Sequence, residues 1–165
     1  MIRRLRFPPF AMLALLLSGC ATTPPFSEGT LIAVDRGLTP EQALQGEARD
    51  TRVLWGGVII GVENLSDHTD LNVLFFPLDK SQRPDMDKPP HNRFIARYKG
   101  YLEAMVYAPG REVTILGSLQ GIEDGKIGEA PYRFPVVKAE KIYLWPVDGD
   151  SRVHFGVGVG IGVHM

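Results

Sequence analysis

Between Thr51 and Trp145 the hydrophobic positions fall into runs with the two-residue period of β-strands. The first run, Arg52-Val53-Leu54-Trp55-Gly56-Gly57-Val58-Ile59-Ile60-Gly61-Val62-Glu63, is apolar on both faces and has a glycine pair at its centre. Interior glycines in a strand mark a bulge, a sharp coil or a close backbone approach. Asn64-Leu65-Ser66-Asp67 supplies turn chemistry, and Asp70 to Pro77 reads as a second strand. Residues 79–92 hold Asp, Lys, Arg and three prolines but no glycine, which predicts a long exposed loop. Arg93 to Tyr98 alternates as a third strand, and Tyr101 to Tyr107 has the pattern of a short helix closed by Pro109-Gly110. Glu112 to Gln120 sets Val113, Ile115, Gly117 and Leu119 against Thr114, Leu116, Ser118 and Gln120, a fourth strand. Asp124-Gly125 then reads as a hairpin turn, and Tyr132 to Trp145 as the returning fifth strand.

A helix start precedes the strands. Thr39 is placed as an N-cap, Pro40 suits the first helical position, and Gln42 falls where a capping box takes Glu or Gln. Gly46 limits this helix to about two turns. Three strands, a short helix and two hairpin-linked strands make an all-β chain with a minor helix. The order fits a five-stranded OB-like Greek-key barrel, with an open antiparallel meander or sandwich as the alternative.

Both chain ends depart from this pattern. Residues 1–19 form a secretory leader: Arg3, Arg4 and Arg6 are its positive region, Phe10 to Leu17 its apolar region, and Ser18-Gly19 the small residues before a cleavage point. The apolar run falls well short of the roughly 20 residues of a spanning helix. At the other end, Val153 to Val163 alternates aliphatic residues with glycine and is bracketed by His154 and His164 near its limits. As a strand it has one aliphatic face and one bare-backbone face. A single strand cannot cross a bilayer, because its backbone groups need partners. A strand laid on the body, a self-association segment and a membrane-surface contact remain open readings. The chain therefore divides into leader 1–19, tether 20–30, barrel 31–147 and glycine-rich tail 148–165.

Cys20, the single cysteine, follows the leader directly, so no intramolecular disulfide and no multi-cysteine metal site exists. Leu17-Ser18-Gly19-Cys20 resembles the bacterial lipobox. That resemblance implies a diacylglycerol on the Cys20 thiol, cleavage before Cys20 and acylation of the new amino terminus. Ala21, rather than Asp, follows the cysteine, which by the same resemblance implies the outer membrane. The leader carries three basic residues and no acidic one, so its loss takes the net charge from −1 to −4. An acidic, exported chain lacks the basic footprint of a nucleic-acid binder.

Val53-Leu54-Trp55-Gly56-Gly57-Val58-Ile59, Pro77-Leu78-Asp79 and Gly110 to Gly117 are similar to segments of the Slp family. Gly125-Lys126-Ile127-Gly128-Glu129 and Tyr132-Arg133-Phe134-Pro135-Val136-Val137 extend the similarity. The family comprises starvation-inducible outer-membrane lipoproteins of Gram-negative bacteria. The resemblance implies a non-enzymatic protein, anchored in the outer membrane by acylated Cys20, that supports the cell envelope under stress or starvation. It transfers Cys20 as the one functional residue. The alternative is a periplasmic module that binds a small ligand or another envelope protein.

No catalytic, metal or cofactor site is expected. His68, His91, His154 and His164 have no ligand spacing, and no G-x-S-x-G nucleophile elbow occurs. Gly121 to Lys126 fails as a phosphate loop, because Gln120 and Ile127 stand where Gly and Ser or Thr are required. Ser118 reads as a satisfied hydroxyl. Glu123 and Asp124, adjacent in a strand, face opposite sides. Trp55, Phe75, Phe76, Phe94 and Trp145 sit in strand patterns as core. The expected partners are outer-membrane lipid through the acyl chains and other envelope proteins or a second copy through 153–163, with no nucleic acid.

Overall fold

The computed structural model describes residues 23–46 and 49–147. Its elements are α1 (Pro40–Gln45), β1 (Arg52–Asn64), β2 (His68–Phe76), β3 (Arg93–Lys99), β4 (Glu112–Ile127) and β5 (Ala130–Leu144). The strands close into a barrel in the order β1-β2-β3-β5-β4, with β4 returning to β1. β3 and β5 are the one parallel pair in this cycle; the others are antiparallel. The OB-like barrel read from the strand order is the fold, and the meander and sandwich are excluded by closure.

The barrel interior is filled by Val53, Trp55, Ile59, Leu71, Val73, Phe94, Val113 and Ile115, each at most 1% exposed. Phe75 and Phe94 meet the Trp55 ring edge-on at centroid distances of 6.2 and 5.1 Å. The Trp55 indole N–H donates to the Leu38 carbonyl at 2.7 Å, which ties the start of α1 to the core. Thr39 caps α1 with the full capping box, and Ala43 points its methyl into the barrel.

β1 and β4 are the same strand built twice. Their first 13 residues have one burial pattern, with Gly57 and Gly117 at equivalent places. A methyl group at Gly57 would collide with the Leu74 carbonyl of β2, and one at Gly117 with the Lys138 carbonyl of β5. The bare backbone lets each strand coil hard against its neighbour. Both strands then carry a bulge three residues on, at Ile60 between Ile59 and Gly61, and at Gln120 between Leu119 and Gly121. The glycine pair of β1 thus marks a close approach, and the bulge lies beyond it.

Three expectations are corrected. Tyr101 to Tyr107 forms a single turn, in which the Glu103 carbonyl accepts from Val106 N and Tyr107 N, both at 3.0 Å. The Leu102 N–H is spent on Thr69 Oγ1 at 3.1 Å, and positive-φ Gly100 and Gly110 bracket the segment. The hairpin turn lies at Gly128-Glu129 rather than Asp124-Gly125. Gly128 has φ 60°, the conformation a two-residue loop asks of glycine, while Gly125 pairs with Tyr132 in mid-strand and lies under the Phe134 ring. The 79–92 loop is exposed at Asp79, Lys80 and residues 86–91 but sheltered between them. Gln82 and Pro84 are buried, and Leu78 bridges to Pro84.

Gly57→Ala is expected to cost about 1–3 kcal/mol, the ordinary range for overpacking. Gly61→Ala, with no atom within 4 Å of the added methyl, should be neutral or stabilising by about 0.4–1 kcal/mol through the unfolded chain. Denaturant midpoints of the two variants measure the difference.

Candidate functional site

The outer faces of β1 and β4 are covered, which is why β1 is apolar on both sides. Leu54 and Leu116, pointing away from the barrel interior, pack under Phe26 and Leu31 with Val34 and Leu78 beside them. Burying Phe26 and Leu31 contributes about 1.5–3 kcal/mol each. Of the residues read as a tether, Phe26 is only 6% exposed, and the chain is held on the barrel from that point.

A polar relay fastens this cover. The Phe26 N–H donates to Gln82 Oε1 at 3.1 Å, and Gln82 Nε2 donates back to the Phe26 carbonyl at 2.9 Å. Thr114 Oγ1 donates to the Gln82 carbonyl at 2.6 Å and accepts from the Trp145 indole N–H at 2.9 Å. Asp79 shapes the loop that presents Gln82, since its Oδ1 accepts from Ser81 N, Ser81 Oγ and Arg83 N within 2.7–2.9 Å. Burial opposes ionisation of that carboxyl, but these donors hold it below the usual carboxylate value. Arg83 pairs with Glu112 at 2.5 Å and lies 5.6 Å from the centre of the Trp145 ring. Trp145 is also two positions from Val147, the last described residue. Phe26 and Trp145 are thus joined through one bonded seam.

Cys20, His154, His164 and the segment 153–163 lie outside the described residues. The other residues singled out above are distributed as follows. Ser118 Oγ bonds Glu140 Oε1 at 3.0 Å, and Arg52 holds the Glu140 carboxyl below its ordinary value. Glu123 binds Arg97 at 2.8 Å, and Asp124, its neighbour, takes no part in that pair. Arg97 also grips Asp70 at 2.7 Å, and Asp70 with Glu123 raises the guanidinium's pKa. His68 lies 2.7 Å from Asp67 and 3.5 Å from Asp70, and the hydrogen bond to His68 lowers the Asp67 carboxyl's pKa. This cluster is saturated with partners and binds β2, β3 and the β4–β5 arm together. His91 stacks obliquely near Phe75 at 6.1 Å. Trp55, Phe75, Phe76, Phe94 and Trp145 are all buried, as their strand positions imply. Among the described residues no group of three His, Cys, Asp or Glu stands close enough to hold a metal ion. No described helix is long and apolar enough to cross a membrane.

Sequence reasoning missed the seam, and one signal pointed to it. A strand apolar on both faces, within a barrel too small to bury both, requires a second layer. Which residues form that layer was not legible, because Phe26 and Leu31 stand in Pro-rich, polar surroundings.

Comparison with known proteins matches residues 17–157 to the family described as the outer membrane lipoprotein Slp family. The chain is 33% identical over 137 residues to the uncharacterized lipoprotein YeaY of Escherichia coli K12, covering 80% of this chain and 68% of YeaY. It is 30% identical over 134 residues to the outer membrane protein Slp of the same organism, covering 81% of this chain and 71% of that protein. A small single-stranded DNA-binding protein from Streptomyces coelicolor is similar at 13% identity and a TM-score of 0.37, over 58% of this chain and 94% of that one. A likeness so loose carries no argument about fold or ligand.

Gln82→Ala is expected to free the backbone of Phe26 and cost about 1–3 kcal/mol, the desolvation of two unpaired groups. Limited proteolysis should then cut ahead of Val34 much faster than in the unaltered protein. Met86→Ala, at an exposed position of the same loop, should leave the cleavage rate unchanged.

Proposed function

The chain belongs to the outer membrane lipoprotein Slp family, and on that premise we propose that acylated Cys20 holds a non-enzymatic barrel against the outer membrane to support the envelope under stress or starvation. The observation that carries this reading is the placement of Leu17-Ser18-Gly19-Cys20 just ahead of a docked segment. The matched region begins at residue 17, so the cysteine falls inside it. A cysteine thiolate is the nucleophile that lipid transfer requires. One acyl chain binds a bilayer marginally, whereas two or more hold it stably.

The distance from Cys20 to Phe26 sets the geometry. Six residues extend to about 20 Å at most. The anchor therefore keeps the Phe26–Gln82–Trp145 seam close to the lipid, where a longer tether would let the barrel wander. On the same reading, the aliphatic residues of 153–163 contact either lipid or a second copy of the chain.

Labelled palmitate should enter the wild-type protein and be lost from Cys20→Ala, which should then appear in the soluble periplasmic fraction. Label that persists in Cys20→Ala would sink the anchor reading. Deleting the chain after Gly149 should leave a body with unchanged thermal stability and reduced membrane contact or crosslinking to itself. Unfolding of that body would instead make the tail a structural strand.

A further inference from the structure

A groove of about 610 Å³ opens beside α1, between the chain leading into β1 and the outer part of β4 and β5. Its size is that of small-molecule sites. The floor is apolar: Ala43 and Leu119, 4% and 3% exposed, continue into the barrel core, and Ile122 lies further out. Two guanidinium groups, Arg49 and Arg133, line the walls.

Of the other described arginines, only Arg93 likewise lacks a side-chain partner. Arg36, Arg52, Arg83 and Arg97 each pair with a carboxylate, and Arg111 donates to the carbonyls of Val106 and Trp145. Among the described residues, neither Arg49 nor Arg133 has a hydrogen-bond or ion-pair partner. Arg133 stands opposite Asp124 in the β4–β5 register without pairing to it. Arg49 is nonetheless placed. The next residue, Asp50, takes φ 61° and donates its N–H to the Leu119 carbonyl at 2.8 Å, while Leu119 N donates to the Thr51 carbonyl at 2.9 Å. The Arg49 guanidinium then lies over Gly121, its Nη2 3.5 Å from where a methyl group would stand. Gly121 has φ 149° and follows the β4 bulge that opens the groove. Bulge, bare glycine and turn residue thus set a planar, fork-shaped donor beside an apolar floor.

We propose that this groove binds an amphiphilic anion, a phosphate or carboxylate head held by Arg49 and Arg133 with a short apolar body resting on Leu119, Ile122 and Ala43. Guanidinium forks match both head groups bidentately. The apolar floor separates such a ligand from a bare inorganic ion. The head group belongs either to a free metabolite-sized amphiphile or to a lipid of the bilayer.

Calorimetry on the full mature lipoprotein in phosphatidylcholine nanodiscs tests this with hexyl phosphate, hexanoate, hexanol and inorganic phosphate as probes. Hexyl phosphate and hexanoate are expected to bind saturably, one per chain. The Arg49→Gln/Arg133→Gln double variant should weaken both at least about tenfold, the loss expected for charge-assisted hydrogen bonds. The Lys/Lys double variant should recover part of that affinity, and an unchanged thermal midpoint would show that folding is intact. Repeating the titration in phosphatidylglycerol nanodiscs separates the two sources. Competition from the disc identifies a bilayer head group, and unchanged binding identifies a free amphiphile. Cys20→Ala protein, free in buffer, should bind hexyl phosphate equally well, so groove and anchor stand or fall separately. Absence of saturable binding, hexanol or inorganic phosphate binding as tightly as hexyl phosphate, or full affinity in the Gln/Gln variant overturns the proposal.

Discussion

Closure of the barrel rests on two places where one strand's backbone presses directly on the next. At Gly57 the neighbour is the Leu74 carbonyl, and at Gly117 it is the Lys138 carbonyl. No residue with a Cβ fits either place without moving a strand. Because these contacts fall at equivalent positions of β1 and β4, the two strands coil alike, and the antiparallel pairing between them is preserved. With β1 and β4 coiled in this way, β5 can serve two neighbours, antiparallel to β4 along its whole length and parallel to β3 at Ile95 to Tyr98. That parallel pair is the closing link. Relaxing either glycine contact would open the sheet and expose Trp55 and Phe94 together.

A barrel of this size buries one face of each strand, yet Leu54 and Leu116 are apolar on the other. The covering layer of 26–34 and 77–84 answers this need and determines where the chain ends run. The N-terminal segment must lie over Leu54 to bury Phe26, and the loop must lie over Thr114 to pair Gln82. Trp145, bonded to that same threonine, is thereby brought beside both. Hydrophobic demand on the outer face and hydrogen-bond satisfaction of one glutamine thus place Phe26 and Trp145 together.

Local chemistry with a single solution was legible in the sequence. The Thr39-Pro40-Glu41-Gln42 cap, the strand order and the buried aromatics each follow from residue type and period. What failed was choice between near-equal local signals. Asp124-Gly125 and Gly128-Glu129 are both plausible hairpin turns, and the aromatic cover of Gly125 by Phe134 decides between them through tertiary contact. Tyr101 to Tyr107 has helical spacing, but the competing Thr69 hydroxyl takes the Leu102 N–H. The groove was beyond reach for a different reason. Arg49 and Arg133 are 84 positions apart, and only the bulge at Gln120 with the turn at Asp50 sets them on one opening.

The seam also gives the anchor proposed at Cys20 a mechanical meaning that a lipid on a long flexible tether would lack. A tether of n residues lets its cargo explore a distance that grows roughly as the square root of n. Docking at Phe26 removes the residues that follow it from that count. If Cys20 carries the lipid, as proposed, tension on it reaches the barrel through Phe26 and passes to Gln82, Thr114 and Trp145. Two apolar side chains and a two-way amide hydrogen bond resist it. A pull sufficient to detach Phe26 would uncover Leu54 and Leu116 and free Gln82. On the proposed anchoring, the outer layer thus couples the lipid to Trp145 through the folded body.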